Sequence, residues 1–569
     1  MRQTMKHSPL RLLLLTLIGI GLAACGPAGE HYDLLIINGT IYDGNGGEPY
    51  AATIAVNGDR IVAIGDFDAD AETVIDASGL AVAPGFINML SWATDSLLID
   101  GRSQGDIRQG VTLEVFGEGR SGGPINDSMR AQLIAEQDPD NPVDVTWTTL
   151  DEYLEFLVDR GISPNIASFI GATSVRVHEL GYEDRPPTPE ELERMQALVR
   201  QAMEDGAMGL GSSLIYAPAF YASTEELVAL ASVVGEYGGM YISHMRSEGN
   251  RLLEAIDELI HIAREAGTSG EIYHLKMAGQ QNWDKFDAVV DKIESAQAEG
   301  LAISANIYTY TAGSTGLDAA MPPWVQEGGY QAWAERLQNP EIRARVLEEM
   351  TTPTDAWENL ALSAGPEGTL LVGFRNPDLR RYLGMTLAAV AAEREQSAAE
   401  TAMDLVIEDG SRVQVVYFLM SEENVAKGIA LPWVSFASDA GSMTNAGKFL
   451  EQSTHPRAYG NFARVLGKYT RDEQVLTLPD AIRKLSKLPA AHLQIRERGE
   501  LAVGNYADIV AFDPLTIQDH ATYEDPHQYA TGMQYVVING EVVLREGEHT
   551  GALPGRVVRG PGWRGWQKN

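Results

Sequence analysis

The chain has 569 residues, 44% of them hydrophobic and 21% charged, an ordinary globular composition with apolar material for a large core. It carries 79 acidic residues against 43 Lys and Arg, a formal net charge of −36; such a field repels phosphate backbones and excludes nucleic-acid binding. Cys25 is the only cysteine, so no disulfide forms within the chain, and a zinc site here draws on His, Asp or Glu as well.

Residues 1–25 read as a leader outside the fold. Arg2, Lys6 and Arg11 make a basic start, 12–20 is an apolar run too short to span a membrane comfortably, and small residues precede Cys25 in Leu22-Ala23-Ala24-Cys25-Gly26. This stretch resembles the lipobox of bacterial lipoproteins. The resemblance implies a lipid on Cys25 and, because Gly26 rather than aspartate follows, an outer-membrane anchor facing the periplasm. The alternative is an ordinary secretory signal.

Residues 26–32 form a short tether. Strand patterns follow at 34–38, 39–42, 52–56 and 60–64, punctuated by Asn-Gly turns. The middle alternates strand and helix. Thr188-Pro189 opens a helix with Pro in its first turn, and 208–214 reads as a strand. Ser223 then starts a helix with Glu226 in capping-box position. Next come a strand at 240–244, a helix at 252–266, a strand at 271–275, a helix at 283–297 and a strand at 302–308. Such βα repeats predict parallel strands with crossover helices, in a closed barrel or an open sheet. Residues 325–430 are less regular, with a helix at about 383–397, and read as an insertion or lid. Strand patterns return at 507–512, 535–539 and 540–544, so both ends of the chain supply one small β-sandwich (26–84 and 496–569) around a central unit at 85–495. The Gly- and Arg-rich stretch after Gly551 reads as a surface extension.

His244 and His274 each end an apolar strand pattern and lie one βα unit apart, each followed by a cation, Arg246 or Lys276. In a parallel barrel both face the mouth where ligands bind, a placement suited to a metal. Glu118 lies between Gly117 and Gly119 after another strand; alone it reads equally as a solvated loop carboxylate. Asp439 ends the apolar run 433–438, where a carboxylate needs a partner. It suits a general base for a metal-activated water, or a helix N-cap.

Several motifs together are similar to the D-aminoacylase (N-acyl-D-amino-acid deacylase) family of amidohydrolases. They are Ala83-Pro84-Gly85-Phe86-Ile87-Asn88, the run 206–216, Ser243-His244-Met245-Arg246-Ser247-Glu248, His274-Leu275-Lys276, Tyr308-Thr309-Tyr310 with Ser314, Ser438-Asp439-Ala440, His455-Pro456-Arg457 and Ala507-Asp508-Ile509-Val510. The resemblance spans residue 33 to about 560. It implies a TIM-like (β/α)8 barrel with the β-sandwich beside it. It implies zinc on His244, His274 and a third ligand after an early strand, and Asp439 as general base. Lys276, Tyr310, Ser314 and Arg457 would hold the substrate carboxylate.

The sequence departs from that family twice. Leu90 and Trp92 stand where amidohydrolases carry His-x-His, and neither binds zinc, so a second metal position is absent. Glu118 stands where D-aminoacylases have a cysteine, and two His plus one carboxylate is an established catalytic zinc set. Asn306 and Thr309 also replace the usual Asp and Pro, which alters the local loop. The resulting expectation is a one-zinc hydrolase cleaving the amide of N-acyl-D-amino acids, a small-molecule substrate with a free carboxylate. Membrane contact is through the lipid anchor alone. A D-amino-acid dipeptidase or cyclic amidase uses the same machinery; an inactive binding lipoprotein is the non-enzymatic alternative.

Overall fold

In the computed structural model, which describes residues 31–137 and 142–568, eight parallel strands surround one apolar interior. They are β1 (Phe86–Asn88), β2 (Val111–Phe116), β3 (Asn165–Ser168, continued by Ile170–Gly171), β4 (Gly209–Ser213), β5 (Met240–His244), β6 (Ser269–Ile272), β7 (Ile303–Ile307) and β8 (Val434–Phe436). Strand pairing runs from β1 to β7 and on to β8. The ring closes where Met89 N–H donates to Phe436 O at 3.2 Å and Asp439 N–H to Leu90 O at 2.9 Å. This is a TIM-like (β/α)8 barrel. Its lumen is packed by Ile87, Met89, Leu90, Val115, Phe169, Ile242 and Tyr273. As in other barrels, the chemistry is left to the C-terminal rim.

The β-sandwich draws on both ends of the chain. A four-stranded sheet is N-terminal (residues 31–76), whereas a seven-stranded sheet joins N-terminal strands to C-terminal ones. Its seam is Ala81–Pro84 against Ile509–Phe512. The Cys25 leader lies outside the described residues.

Four local readings change. Ser223 does cap its helix, accepting from Glu226 N–H at 3.2 Å, but Glu226 turns inward to Arg176 (2.6 Å) and closes no capping box. The buried guanidinium offers Glu226 a stronger partner than the helix end does. Capping boxes instead occur at Thr149–Glu152, Thr188–Glu191 and Ser397–Glu400. The region from Ala312 to Phe418 is not irregular. It holds an antiparallel sheet of Ala312–Gly316, Gln414–Phe418 and Thr369–Gly373, several helices and its own apolar cluster. Its supposed single helix is two, Leu387–Glu393 and Ala398–Asp409, because Ser397 caps the second. Finally, the tail is no loose extension. Val558 N–H donates to Ile166 O (2.8 Å) and Gly560 N–H to Gly206 O (2.8 Å), strapping the chain across the starts of β3 and β4. Gly560 permits this approach, since a Cβ there would lie 2.2 Å from Ala207 O.

Candidate metal centre

Three buried donors meet at the barrel mouth. Oε1 of Glu118 lies 3.0 Å from His244 Nδ1 and 3.1 Å from His274 Nε2, and the two imidazole centroids are 4.7 Å apart. Among the described residues this is the one group of His, Cys, Asp and Glu ligand atoms gathered as for a metal.

The elements explain the convergence. His244 is the last residue of β5, but β6 stops at Ile272, so the two histidines are not at equivalent positions: Ser243 pairs with Ile272. His274 comes back into line through a left-handed backbone, φ 38°, held by the Asn306 side chain, which accepts His274 N–H at 2.8 Å. The glycines beside Glu118 serve neighbouring strands rather than a ligand. A Cβ on Gly117 would sit 2.4 Å from Phe169 O, and one on Gly119 2.0 Å from Ser213 Oγ.

A second carboxylate, which sequence reasoning did not single out, backs the histidines. Glu248 Oε1 lies 2.9 Å from His274 Nδ1 and 2.6 Å from Lys276 Nζ, and its Oε2 lies 3.7 Å from His244 Nε2. Glu248 thus faces the ring nitrogens turned away from Glu118, the outer-shell arrangement that orients metal-binding histidines. Its loop is pinned from the insertion, because the Glu358 carboxylate accepts from Ser247 Oγ (2.7 Å), Glu248 N–H (2.6 Å) and Gly249 N–H (3.1 Å). Arg246 faces elsewhere, paired with Glu258 at 2.9 Å.

Asp439, also left-handed at φ 50°, is held on both oxygens. Arg457 Nη1 lies 2.8 Å from Oδ2, and the Trp92 indole N–H donates to Oδ1 at 3.1 Å. The same indole N–H reaches Glu118 Oε2 at 3.2 Å. Tyr308 lies between the two cations, its ring centre 4.5 Å from Arg457 Cζ and 5.5 Å from Lys276 Nζ. The Tyr308 hydroxyl and Arg457 Nε are buried with no hydrogen-bond partner among the described residues. Tyr310 packs instead against His455 and Arg464, away from this cluster. Two residues further along an outgoing turn, it meets the back of the insertion rather than the mouth. Ser314 lies on the insertion sheet. Its hydroxyl donates to Val415 O (2.9 Å), and its carbonyl accepts from Arg457 Nη2 at 3.4 Å.

The electrostatics fit a cation. Burial alone would raise Glu118, but the two histidines hold it well below the usual carboxylate range. Burial and Lys276 lower His274, yet Glu248, Glu118 and Asp439 together lift it to about 9. Three carboxylates against Lys276 and Arg457 leave the cluster one positive charge short; protonated His274 supplies it here, and a bound divalent ion would take over that role with His274 neutral. Two imidazoles and one carboxylate are donors zinc accepts, with a position left open.

A model described as Amidohydrolase family matches residues 434–544. D-aminoacylase of Alcaligenes xylosoxydans xylosoxydans is 32% identical over 537 residues, covering 93% of this chain and 98% of the relative. The chain belongs to the D-aminoacylase family. It is a metal-dependent amidohydrolase. A solved D-aminoacylase, 30% identical with a TM-score of 0.76, covers 93% of this chain with all of its own; its metal center is described as binuclear, with one-metal activation and second-metal attenuation. N-acyl-D-glutamate deacylase from Bordetella bronchiseptica, complexed with zinc and a phosphonate mimic of the tetrahedral intermediate, is 27% identical, with a TM-score of 0.77 and the same coverages.

Proposed function

We propose that this amidohydrolase cleaves the amide of N-acyl-D-amino acids with one zinc ion held by Glu118, His244 and His274. The observation that carries the reading is the approach of both histidine nitrogens to a single oxygen of Glu118, with Asp439 beside them. Zinc bound there supplies Lewis acidity, lowering the pKa of a water molecule and polarising the amide carbonyl.

The chain's own groups do the rest. Asp439 takes a proton from the attacking water and delivers it to the leaving nitrogen, so its two oxygens must be held in place. Arg457 keeps Nε free to donate to the substrate carboxylate. Tyr308 offers its hydroxyl there in place of Tyr310, Lys276 adds positive charge, and Ser314 contributes through its carbonyl's hold on Arg457. A single ion is supported by Leu90 and Trp92, which carry no metal-binding atom in the places of a second pair of ligands. Zinc-loaded protein assayed on a panel of N-acyl-D- and N-acyl-L-amino acids and D-containing dipeptides tests this. Preferential release of D-amino acids supports the assignment; cleavage of dipeptides alone replaces it with a dipeptidase.

The lipobox-like stretch around Cys25 supports anchoring in the outer membrane, facing the periplasm. Mass spectrometry of the mature N-terminus tests this: a diacylglyceryl-modified Cys25 is expected, and an unmodified residue there contradicts it.

A further inference from the structure

Trp92 ends the β1 rim and precedes the helix Ala93–Ile99. Its backbone N–H donates to Ala440 O at 2.9 Å, one residue past Asp439, so this residue is fixed to the β8 rim by its main chain. Its side chain then does something unusual for an indole that is 39% exposed: the single N–H points inward between buried Glu118 and part-buried Asp439, 3.2 Å from Glu118 Oε2 and 3.1 Å from Asp439 Oδ1. The two carboxylates carry like charge and repel. A polar hydrogen shared between them offsets part of that repulsion. An indole N–H only donates and does not ionise. It therefore fills the space between the two acids without offering a donor atom to a metal.

We infer that Trp92 is a positioning residue whose indole N–H takes the place of a second metal ion, bridging the ligand Glu118 to Asp439. The inference rests on reading the three-donor cluster as a zinc site. Its consequences concern both acids. Oε2 of Glu118 is occupied by Trp92, which leaves Oε1 to face His244 and His274, the oxygen that would hold a metal ion there. Oδ1 of Asp439 is held by Trp92 and Oδ2 by Arg457, so the carboxylate is clamped across both oxygens. Leu90, buried in the barrel lumen, completes the arrangement by closing the floor with hydrocarbon.

The test uses the full chain with Trp92→Phe, which keeps an aromatic ring and deletes the N–H, and Trp92→Gln, whose amide restores a donor. Zinc affinity by chelator competition is read alongside kcat and KM on an N-acyl-D-amino acid. The expected result for Trp92→Phe is about 10- to 100-fold weaker zinc binding and a kcat lower by about as much, the usual effect of losing an outer-shell partner, with KM within about 2-fold. Trp92→Gln recovers most of both. Wild-type zinc affinity and kcat in Trp92→Phe overturn the inference while leaving the zinc reading intact. A wild-type protein that takes up no zinc overturns the zinc reading itself, and the inference with it.

Discussion

The side-chain carbonyl of Asn306 accepts the backbone N–H of His274 at 2.8 Å, and its amide donates to Glu271 Oε1 at 2.9 Å. One residue on β7 thereby fixes a left-handed turn on the neighbouring strand, a conformation that costs about 1 kcal/mol or more for a residue with a Cβ. The return on that strain is an Nε2 aimed at Glu118.

Asn306→Ala should release the turn. The expected outcome is zinc binding weaker by about 10-fold with little loss of thermal stability, read by chelator competition and a melting curve. Unchanged zinc affinity would show that His274 holds its position without Asn306.

Burial with uncharged hydrogen-bond partners makes a second feature measurable. Glu114 and Asp106 lie buried near the junction of β1 and β8. Glu114 accepts from Ser91 and Ser103 at 2.6 and 2.5 Å, Asp106 accepts from Asn88 at 3.0 Å, and among the described residues no cation is bonded to either. Desolvation raises Glu114 to about 7 and lifts Asp106 well above its ordinary value, helped by Glu114. A folded-state pKa above the unfolded one means that the native protein holds a proton the unfolded chain has lost. Stability is therefore full below the ordinary carboxylate range and falls as pH rises through about 7. Glu114→Gln should melt higher than wild type at pH 8, by up to about 3 kcal/mol, with the difference vanishing near pH 4. A constant offset across that range would contradict the buried-acid account.

Much of this architecture was legible from the chain. The βα alternation at 208–308 and the two β-rich ends follow from hydrophobic periodicity and Asn-Gly turns, and motifs located His244, His274, Lys276, Asp439 and Arg457. What escaped was set by tertiary packing. Ala312–Gly316, a run of small and polar residues, carries no strand signal and becomes a strand because Gln414–Phe418 pairs with it. Glu248 lies four residues beyond His244 on an irregular loop, where spacing says nothing about direction. Tyr308 and Tyr310 are indistinguishable in sequence; only the turn after β7 decides which faces Arg457. Trp92 read as a lost ligand, and its indole N–H becomes informative only once Glu118 and Asp439 are seen on either side of it.

The insertion reaches the metal centre through Glu358, whose carboxylate gathers three donors from the loop 247–249. Glu358→Ala should destabilise the chain by about 2 kcal/mol, the scale of hydrogen bonds to a charged group, and raise KM as Glu248 and Lys276 lose their fixed backing. Differential scanning calorimetry with steady-state kinetics checks both. A variant with wild-type melting and KM would show that the insertion does not brace the site.

In the proposed mechanism Glu118, in a cysteine's place, completes the metal site. Zinc content of the purified wild type, Glu118→Ala and Glu118→Cys, measured with their rates on an N-acyl-D-amino acid, tests it most directly. About one zinc per chain is expected in wild type, loss of both zinc and activity in Glu118→Ala, and zinc retained in Glu118→Cys, since thiolate is a good zinc ligand. An active, zinc-replete Glu118→Ala protein would contradict it.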